Sequence, residues 1–361
     1  MTYYQGLRIN SLRGNKLFLM KQSYVIGVDI SKSKIDCALL TAEFEVLKEK
    51  IVLNSDFKIR AFLFQVLNTF SIDESDILVC CENTGIYNRP LERVCQEMGI
   101  NLWVEHAVKI KRACTDMRGK TDRKDALRIA EYAIRYQDRK VLYKESSKVV
   151  IALNEQIKIR QTLMNHKVAI ENQLREVKSH DPESYKILKT GYATVIKSLL
   201  KSLELAEQKI SELIKQDEKI KKNVELMISI PGIGKQGAIN FIIATNNFST
   251  FNSAKHLACY AGVVPFQNQS GTIIKRERVS KMANQTLKKL LHMSAMAAIR
   301  CDPELRTYYL RKVQEGKNKM SVLNAVRNKL VHRIMAVITR GINYETKNIV
   351  SIKKETVLVA Y

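Results

Sequence analysis

The feature that most constrains the fold of this 361-residue chain is a change of residue pattern near position 146. From there to about residue 225 no strand signal occurs, and Pro182 in SHDPESY separates two long helical stretches. In the second stretch apolar residues recur at alternating steps of three and four, the a/d pattern of a heptad seam. These residues are Ile196, Leu199, Leu203, Ala206, Ile210 and Leu213. The seam predicts a helical hairpin within one chain or an oligomerising coiled coil, and its narrow width between charged flanks favours the coiled coil.

Before this helical region, strand and helix patterns alternate. SYVIGVDISKSKIDCALLT predicts two strands joined by a turn, and EVLKEKIVLN predicts a third. DILVCCENTG and INLWVEH predict further buried strands, with helical stretches between and after them. Three strands followed by alternating helix and strand favour an α/β domain, a mixed sheet with helices on its faces.

After the two long helices a third region begins at Val224 with ISIPGIGKQGA. It is basic and predicted to be helical, with a glycine-rich middle from Gly262 to Gly271. The chain as a whole is therefore expected to combine α/β and all-α parts in five segments. These are a basic tail at 1–22, in which Met20 is an alternative start, an α/β domain at 23–145, a helical linker at 146–222, a helical domain at 223–345 and a tail at 346–361.

The charge of the chain favours a polyanionic partner. The formal net charge is +24, and residues 271–340 alone hold 16 Lys and Arg against 4 Asp and Glu. A solvated basic face is the alternative, but an excess of this size is typical of proteins that bind nucleic acid. No apolar run is long enough to span a bilayer, so we do not expect a membrane protein.

The cysteines and histidines point to no metal or disulfide framework. The seven cysteines form no CxxC pair, and the six histidines are scattered. We expect buried thiols in a reducing compartment, and with no signal peptide the predicted location is the cytoplasm.

Four carboxylates are placed where they could meet. Asp29 ends one predicted buried strand, Glu82 ends another, and ligands gather at such ends in sheets covered by helices. Asp122 and Asp125 are three apart at a predicted helix start and share one face of that helix. The alternative for this pair is helix capping, since anions are favoured in a first turn. Taken together, the four acids favour a common site.

Converging carboxylates repel one another unless a cation neutralises them. Hard oxygen ligands suit Mg²⁺ or Mn²⁺, and such ions can clamp the attacking and leaving oxygens of a phosphodiester. We therefore expect a metal site at the acids. The neighbouring cations Lys120, Arg123 and Lys124 are predicted to hold the nucleic-acid backbone delivered to it.

Two further stretches are candidates for nucleic-acid contact. IPGIG predicts the turn of a helix-hairpin-helix, where Gly232, Gly234 and Lys235 could approach a phosphate at the next helix start; a plain tight turn is the alternative.

The second stretch places Ser270 before Gly271 in a predicted flexible segment, followed by three cations. These are Lys275, Arg276 and Arg278, predicted to contact nucleic acid. From its residues alone Ser270 is either part of an ordinary turn or a nucleophile.

Five motifs in fixed order resemble one protein family. GVDISK, ENTGIY, KTDRKDALRIAEY, SIPGIG and GVVPFQNQSGT…SKMANQTLKKLL follow the order seen in DEDD-type insertion-sequence transposases. The chain resembles the insertion sequence 110 family of these enzymes, also called bridge-RNA-guided serine recombinases, from about residue 24 to 340. One departure is Ala283, which replaces a glycine of the family pattern and bears on the local turn geometry.

The resemblance implies an RNase H/RuvC-like amino-terminal domain, a coiled-coil linker and a helical transposase domain. By motif position Asp29, Glu82, Asp122 and Asp125 match the acidic tetrad, and Ser270 matches the catalytic serine. The implied activity is metal-assisted breaking and rejoining of donor and target DNA through a phosphoserine intermediate. The implied partners are a structured noncoding guide RNA and further copies of the chain, joined through the coiled coil.

Two alternative functions follow from the same residues. A Holliday-junction resolvase-like nuclease would use the acids with water and need neither Ser270 nor a guide RNA. A non-catalytic nucleic-acid scaffold would use the acids only as helix caps.

Overall fold

The structure, a computed structural model, describes residues 22–113, 122–270, 273–280 and 282–345, with the backbone alone at 267–270 and 273–278. The chain divides into two compact units, the first ending at Glu145 and the second beginning at Ser146. The finer boundaries of the linker and tails remain predictions. Lys120 lies outside the described residues, and no helix within them is long and apolar enough to cross a membrane.

The first unit is a five-stranded mixed sheet with helices on both faces. Its elements are β1 (Tyr24–Ile30), β2 (Lys34–Thr41), β3 (Val46–Leu53), α1 (Asp56–Phe70), β4 (Ile77–Glu82), α2 (Arg89–Glu97), β5 (Asn101–Glu105), α3 (Ala107–Ala113) and α4 (Asp122–Arg135). The strand order is β3-β2-β1-β4-β5, with β1 to β3 antiparallel and with β4 and β5 parallel to β1. The predicted α/β sheet is confirmed, and the RNase H/RuvC-like fold that the resemblance implies remains a prediction.

Alternate residues of each strand pack on opposite faces of this sheet. Ile26 and Val28 of β1 lie in the core with α1 and α2, whereas Val25 lies in a second core with α3 and α4. Trp103 of β5 belongs to the second core and packs beside Tyr132 of α4. The long apolar runs of the central strands follow from this burial on both faces.

A direct backbone contact joins α4 to the central strand β1. A Cβ atom on Gly27 would lie 2.2 Å from the Ala126 carbonyl oxygen and 2.4 Å from the Ala130 nitrogen. Only a residue without a side chain leaves room for the helix at this distance. Asp122 and Asp125 belong to the first turn of α4, so this contact determines how closely they approach the strand ends.

The second unit is mostly helical, as expected. Its elements are α5 (Lys148–His180), α6 (Pro182–Gln216), α7 (Glu218–Ile228), α8 (Lys235–Ala244), α9 (Ala254–Tyr260), β6 (Pro265–Ser270), β7 (Ile273–Val279), α10 (Gln285–Cys301), α11 (Pro303–Gln314) and α12 (Lys319–Arg340). One large apolar core joins residues of α5 to α12.

Two strands, β6 and β7, lie where the sequence predicted a flexible segment around Ser270. The two strands are antiparallel, from Pro265 opposite Val279 to Ser270 opposite Ile273. Glycine and serine near the junction favour a loop locally, but β-branched residues in β7 favour a strand once a partner lies beside it.

Helices α5 and α6 pack along each other as a hairpin within the chain. Asp181 accepts hydrogen bonds from the Glu183 and Ser184 N–H groups, and Pro182 occupies the first turn of α6, so the reversal is well capped. Of the seam residues, Ala206 and Ile210 are buried and the other four are half-buried. The hairpin interpretation accounts for the seam, and an oligomerising coiled coil remains a prediction.

The cysteines of the described residues are all free thiols. Cys37, Cys80, Cys81 and Cys95 are buried, whereas Cys301 at the end of α10 is exposed and does not fit the expectation. Burial raises the pKa of the Cys80 and Cys81 thiols well above the ordinary value.

The IPGIG segment forms the turn between α7 and α8. Gly232 has a φ of +92°, and a Cβ atom there would lie 2.6 Å from the Ser294 carbonyl oxygen and 2.8 Å from the Ala298 nitrogen of α10. Gly234 has a φ of −90° and open space at its Cβ position. Gly232 therefore has a packing role, which supports the plain-turn alternative at that position. A helix-hairpin-helix in which Gly232, Gly234 and Lys235 contact phosphate remains a prediction.

We expect Gly27→Ala to destabilise the first unit by at least about 2 kcal/mol, because the new methyl group meets the backbone of α4. Trp103 is the only tryptophan of the chain and is buried in this unit, so its fluorescence during urea unfolding reports the effect. An unchanged urea midpoint would mean that α4 can move off β1 without cost.

We expect Gly232→Ala to destabilise the second unit by about 2 kcal/mol or more, because it combines a left-handed φ with a contact to α10. Gly234→Ala is the matched control and should stay within about 1 kcal/mol of the wild type. Thermal unfolding measures both effects, followed by circular dichroism at about 222 nm, where helices dominate the signal. Equal effects of the two substitutions would contradict the packing role of Gly232.

Candidate active site

Two of the predicted acids lie at the carboxyl ends of neighbouring parallel strands. Val28 of β1 pairs with Cys81 of β4, so Asp29 and Glu82 are the next residues on adjacent strands. Asp29 follows Val25 and Gly27 on the face of the sheet that α4 covers. The sheet thus brings these two carboxylates to one edge, as expected from the sequence.

Helix α4 adds the other two predicted acids. Asp122 and Asp125 lie in its first turn, where negative charge is favoured by the helix dipole. Because Ala126 is in backbone contact with Gly27, Asp125 is held beside the strand that carries Asp29. Helix capping and convergence on a common site are therefore compatible roles for this pair.

Asp29 is influenced electrostatically by the other three predicted acids. Its pKa is raised from 3.8 to about 6, first by burial and then by the charges of Asp125, Asp122 and Glu82. Asp36 contributes a further, smaller repulsion. A carboxylate with four acidic neighbours is a site that a bound cation would stabilise strongly.

Asp36 and Lys34 belong to this cluster and are not evident from the sequence motifs. Asp36 lies opposite Asp29 in the β1–β2 pairing and is buried. Lys34 Nζ lies 3.1 Å from Asp36 Oδ2 and 2.9 Å from Asp122 Oδ2. The hydrogen bonds to these two carboxylates raise the pKa of the Lys34 ammonium above its ordinary value. An acid within the otherwise apolar run KIDCALLT is the sequence signal that could have identified Asp36.

The cations of α4, which include the predicted phosphate-binding residues Arg123 and Lys124, differ in their contacts. Arg123 pairs with Glu49 of β3, which lowers the pKa of that carboxyl. Arg128 Nη1, in contrast, lies 2.7 Å from Asp125 Oδ1. The Lys124 side chain is exposed. Their contact with nucleic acid remains a prediction.

Glu105 is a further buried acid at the same edge, at the end of β5 and opposite Glu82. Its carboxylate lies 3.0 Å from Lys109 Nζ and accepts hydrogen bonds from the His106 N–H at 2.7 Å and the Tyr132 hydroxyl at 3.2 Å. Three donors satisfy this carboxylate, so Glu105 is better explained as a structural residue.

The donor chemistry of the cluster fits a hard divalent cation. Carboxylate oxygens are the ligands that Mg²⁺ and Mn²⁺ prefer, and the pKa of Asp29 is raised by burial and then by the neighbouring negative charges, which such an ion would offset. Among the described residues, however, no three Asp, Glu, His or Cys side chains are already arranged as a ligand set. Lys34 contacts Asp122 instead, and Arg128 contacts Asp125.

In the second unit Ser270 is the last residue of β6. Its backbone pairs with Ile273, and Lys275, Arg276 and Arg278 follow on β7. The serine and the three cations thus share one hairpin. The catalytic role of Ser270 remains a prediction.

The departure from the family pattern at Ala283 is accommodated by a glycine. Gly262 has a φ of +67°, and a Cβ atom there would lie 2.4 Å from Ala283 Cβ. The next residue, Asn284, donates its N–H to the Tyr260 carbonyl oxygen at 2.9 Å and caps α10. Ala283 therefore fits the turn because Gly262 has no side chain.

Family models match both units of the chain. A model described as Transposase IS116/IS110/IS902 family matches residues 224–310. The model of the DEDD transposase of IS110 elements, described as Transposase, matches residues 26–177. The two matches include all four acids and Ser270.

Three curated relatives agree with these matches. The insertion element IS110 43.6 kDa protein of Streptomyces coelicolor is 32% identical over 34% of this chain and 30% of its own length. The pilin gene-inverting protein of Moraxella bovis is 29% identical over 62% of this chain and 68% of its own length. That of Moraxella lacunata is 24% identical over 89% of this chain and 97% of its own length.

One solved structure, Thermus thermophilus RuvC in complex with a Holliday junction substrate, overlaps 34% of this chain and all of its own. The TM-score is 0.28 at 15% identity, which is too low to bear on fold or function. The motifs, the two matched family models and the relatives agree, and the chain belongs to the IS110/IS116/IS902 family of DEDD-type transposases.

Proposed function

We propose that this protein breaks and rejoins DNA as the transposase of an insertion sequence. The observation that carries the proposal is that Asp29 and Glu82 lie at the ends of neighbouring parallel strands, and that α4, with Asp122 and Asp125 in its first turn, packs directly on the strand of Asp29. A net charge of +24 supports a nucleic-acid substrate. The names of the Moraxella relatives, which describe inversion of a pilin gene, support recombination rather than cleavage alone.

The acids would hold Mg²⁺ or Mn²⁺ through Asp29, Glu82, Asp122 and Asp125. When bound, such an ion supplies activation of an oxygen nucleophile and neutralises charge at the reacting phosphate. The protein's own part is to keep Asp29 beside Glu82 on a rigid sheet and to present the α4 carboxylates towards them. Arg128 restricts the rotamer of Asp125 through their ion pair.

Ser270 would act as the nucleophile of DNA cleavage. Its hydroxyl would lose a proton as Oγ bonds to phosphorus, while the DNA ester oxygen leaves and takes up a proton. The phosphoserine conserves the energy of the phosphodiester, so attack by a hydroxyl of another DNA strand rejoins the DNA without ATP. Lys275, Arg276 and Arg278 on the neighbouring strand would hold the DNA backbone.

Site choice through a structured guide RNA, as the resemblance implies, forms part of the proposal. The chain has one tryptophan and only 7% aromatic residues but 60 lysines and arginines, a composition suited to holding backbones. Assembly through the α5–α6 hairpin is supported by exposed apolar residues such as Ile187 and Val195, which are 73% and 46% exposed.

We expect Asp29→Asn to stabilise the metal-free protein. Because the folded pKa is about 6 and the ordinary value is 3.8, the folded state binds an extra proton between these values. Stability of the first unit should therefore fall as pH rises from about 4 to 6, and the substitution should recover about 1 kcal/mol at pH 7, allowing for partial exposure. Trp103 fluorescence during urea unfolding, with a chelator present, measures this.

The exposed Asp73, substituted to Asn, is the control and should change little. Adding Mg²⁺ or Mn²⁺ should stabilise the wild type and have much less effect on Asp29→Asn. A wild type that gains no stability from either ion would contradict the metal site.

We expect Ser270→Ala to abolish the covalent protein–DNA adduct and to lower recombination by about 10³-fold or more. Thr272→Ala, two residues away, is the matched control and should retain both. Adduct formation on nicked DNA substrates, resolved on denaturing gels, measures the first effect, and product sequencing measures the second. Undiminished cleavage by Ser270→Ala would favour the resolvase-like nuclease that uses water.

A further inference from the structure

A lysine ammonium is already bound among the acids of the candidate site. Lys34 Nζ lies 2.9 Å from Asp122 Oδ2 and 3.1 Å from Asp36 Oδ2. Asp122 is one of the four proposed metal ligands, whereas Asp36 is an additional buried acid outside the tetrad. A single cation therefore bridges a proposed ligand and a carboxylate that the family motifs do not include.

Backbone hydrogen bonds and strand pairing fix the position of the Lys34 main chain, from which this side chain extends. The Ser31 N–H and hydroxyl donate to the Lys34 carbonyl oxygen at 2.9 and 2.8 Å, and Lys34 pairs with Leu53 of β3. Residues i and i+2 of a strand share a face, so Lys34 and Asp36 lie on the same side as Asp29. The Lys34 side chain is 36% exposed, so its ammonium can leave the carboxylates for water.

We propose that Lys34 is an internal counter-cation, which a divalent metal ion must displace from Asp122 in order to bind. The proposal rests on the metal-dependent function given above. An ammonium and a divalent ion close to one carboxylate repel each other, so the presence of one lowers the affinity for the other. Lys34 is thus a positioning residue, which holds Asp122 and Asp36 together before the metal arrives and weakens metal binding by competition.

The ion pair between Arg128 and Asp125 differs from that between Lys34 and Asp122 in its origin and its exposure. Arg128 binds Asp125 from three residues away on the same helix, and its side chain is only 16% exposed. Such a pair can persist as part of the helix whether or not a metal is bound. Lys34 reaches Asp122 from a different element and has a path to water.

Calorimetric titration of the full-length protein with Mn²⁺ tests the proposal. Lys34→Met should lower the Kd for Mn²⁺ roughly tenfold, since one positive charge is removed beside a divalent ion. Lys34→Arg keeps the charge and should bind within about twofold of the wild type. Lys32→Met is the matched control, because Lys32 is an exposed residue of the same turn, and it should also leave the Kd unchanged.

The same titrations distinguish failure of this proposal from failure of the metal site. Binding by Lys34→Met that is equal to or weaker than that of the wild type overturns the role of Lys34, while the metal site stands. Absence of any Mn²⁺ binding that depends on Asp29 overturns both. Tighter binding by Lys34→Met, with Lys34→Arg and Lys32→Met unchanged, is the result expected.

Discussion

The absence of a side chain at Gly27 is the constraint on which the acidic site depends. It lets the backbone of α4 lie directly on β1. Any residue with a Cβ atom at position 27 would clash with the helix at this distance. The contact is near the start of α4, which carries Asp122 and Asp125. Two carboxylates from a helix and two from a parallel strand pair, far apart in the chain, are thereby delivered to one edge of the sheet.

Concentrating carboxylates in this way opposes the stability of the fold. Burial and then the neighbouring carboxylates raise the pKa of Asp29 to about 6, so its ionised form is disfavoured in the folded protein. The first unit limits the cost with cations placed at the edge of the cluster, Lys34 from β2 and Arg128 from α4. Glu105, in contrast, is fully hydrogen-bonded and shows how a buried acid is satisfied when its role is structural. Local destabilisation of this kind is typical of sites that exist to bind something.

How much of this could be predicted depends on whether the signal is local. The strands, the long helices and the positions of Asp29 and Glu82 at strand ends follow from periodicity within short windows. The roles of Asp36 and Lys34 depend on which residue of β2 opposes Asp29, and a slip of one residue would move both to the other face. In the sequence Gly27 is only a residue of low strand propensity. Its role becomes evident once α4 is known to pack against it. The β6–β7 hairpin could not be predicted either, because its strands are stabilised by pairing with each other rather than by their own composition.

The hairpin that carries Ser270 raises a different physical problem from the acidic edge. A two-stranded ribbon is marginal by itself, and among the described residues β6 and β7 pair only with each other. Its geometry must therefore be supported from its base. Asn324 of α12 donates to the Val263 carbonyl oxygen at 2.8 Å, just before β6. After β7, the fit of Ala283 against Gly262 and the hydrogen bond from Asn284 to Tyr260 join the same base of the ribbon to α9. Both strands of the ribbon are thus fixed to helices at its base, and the alanine at position 283 is part of that fitted contact.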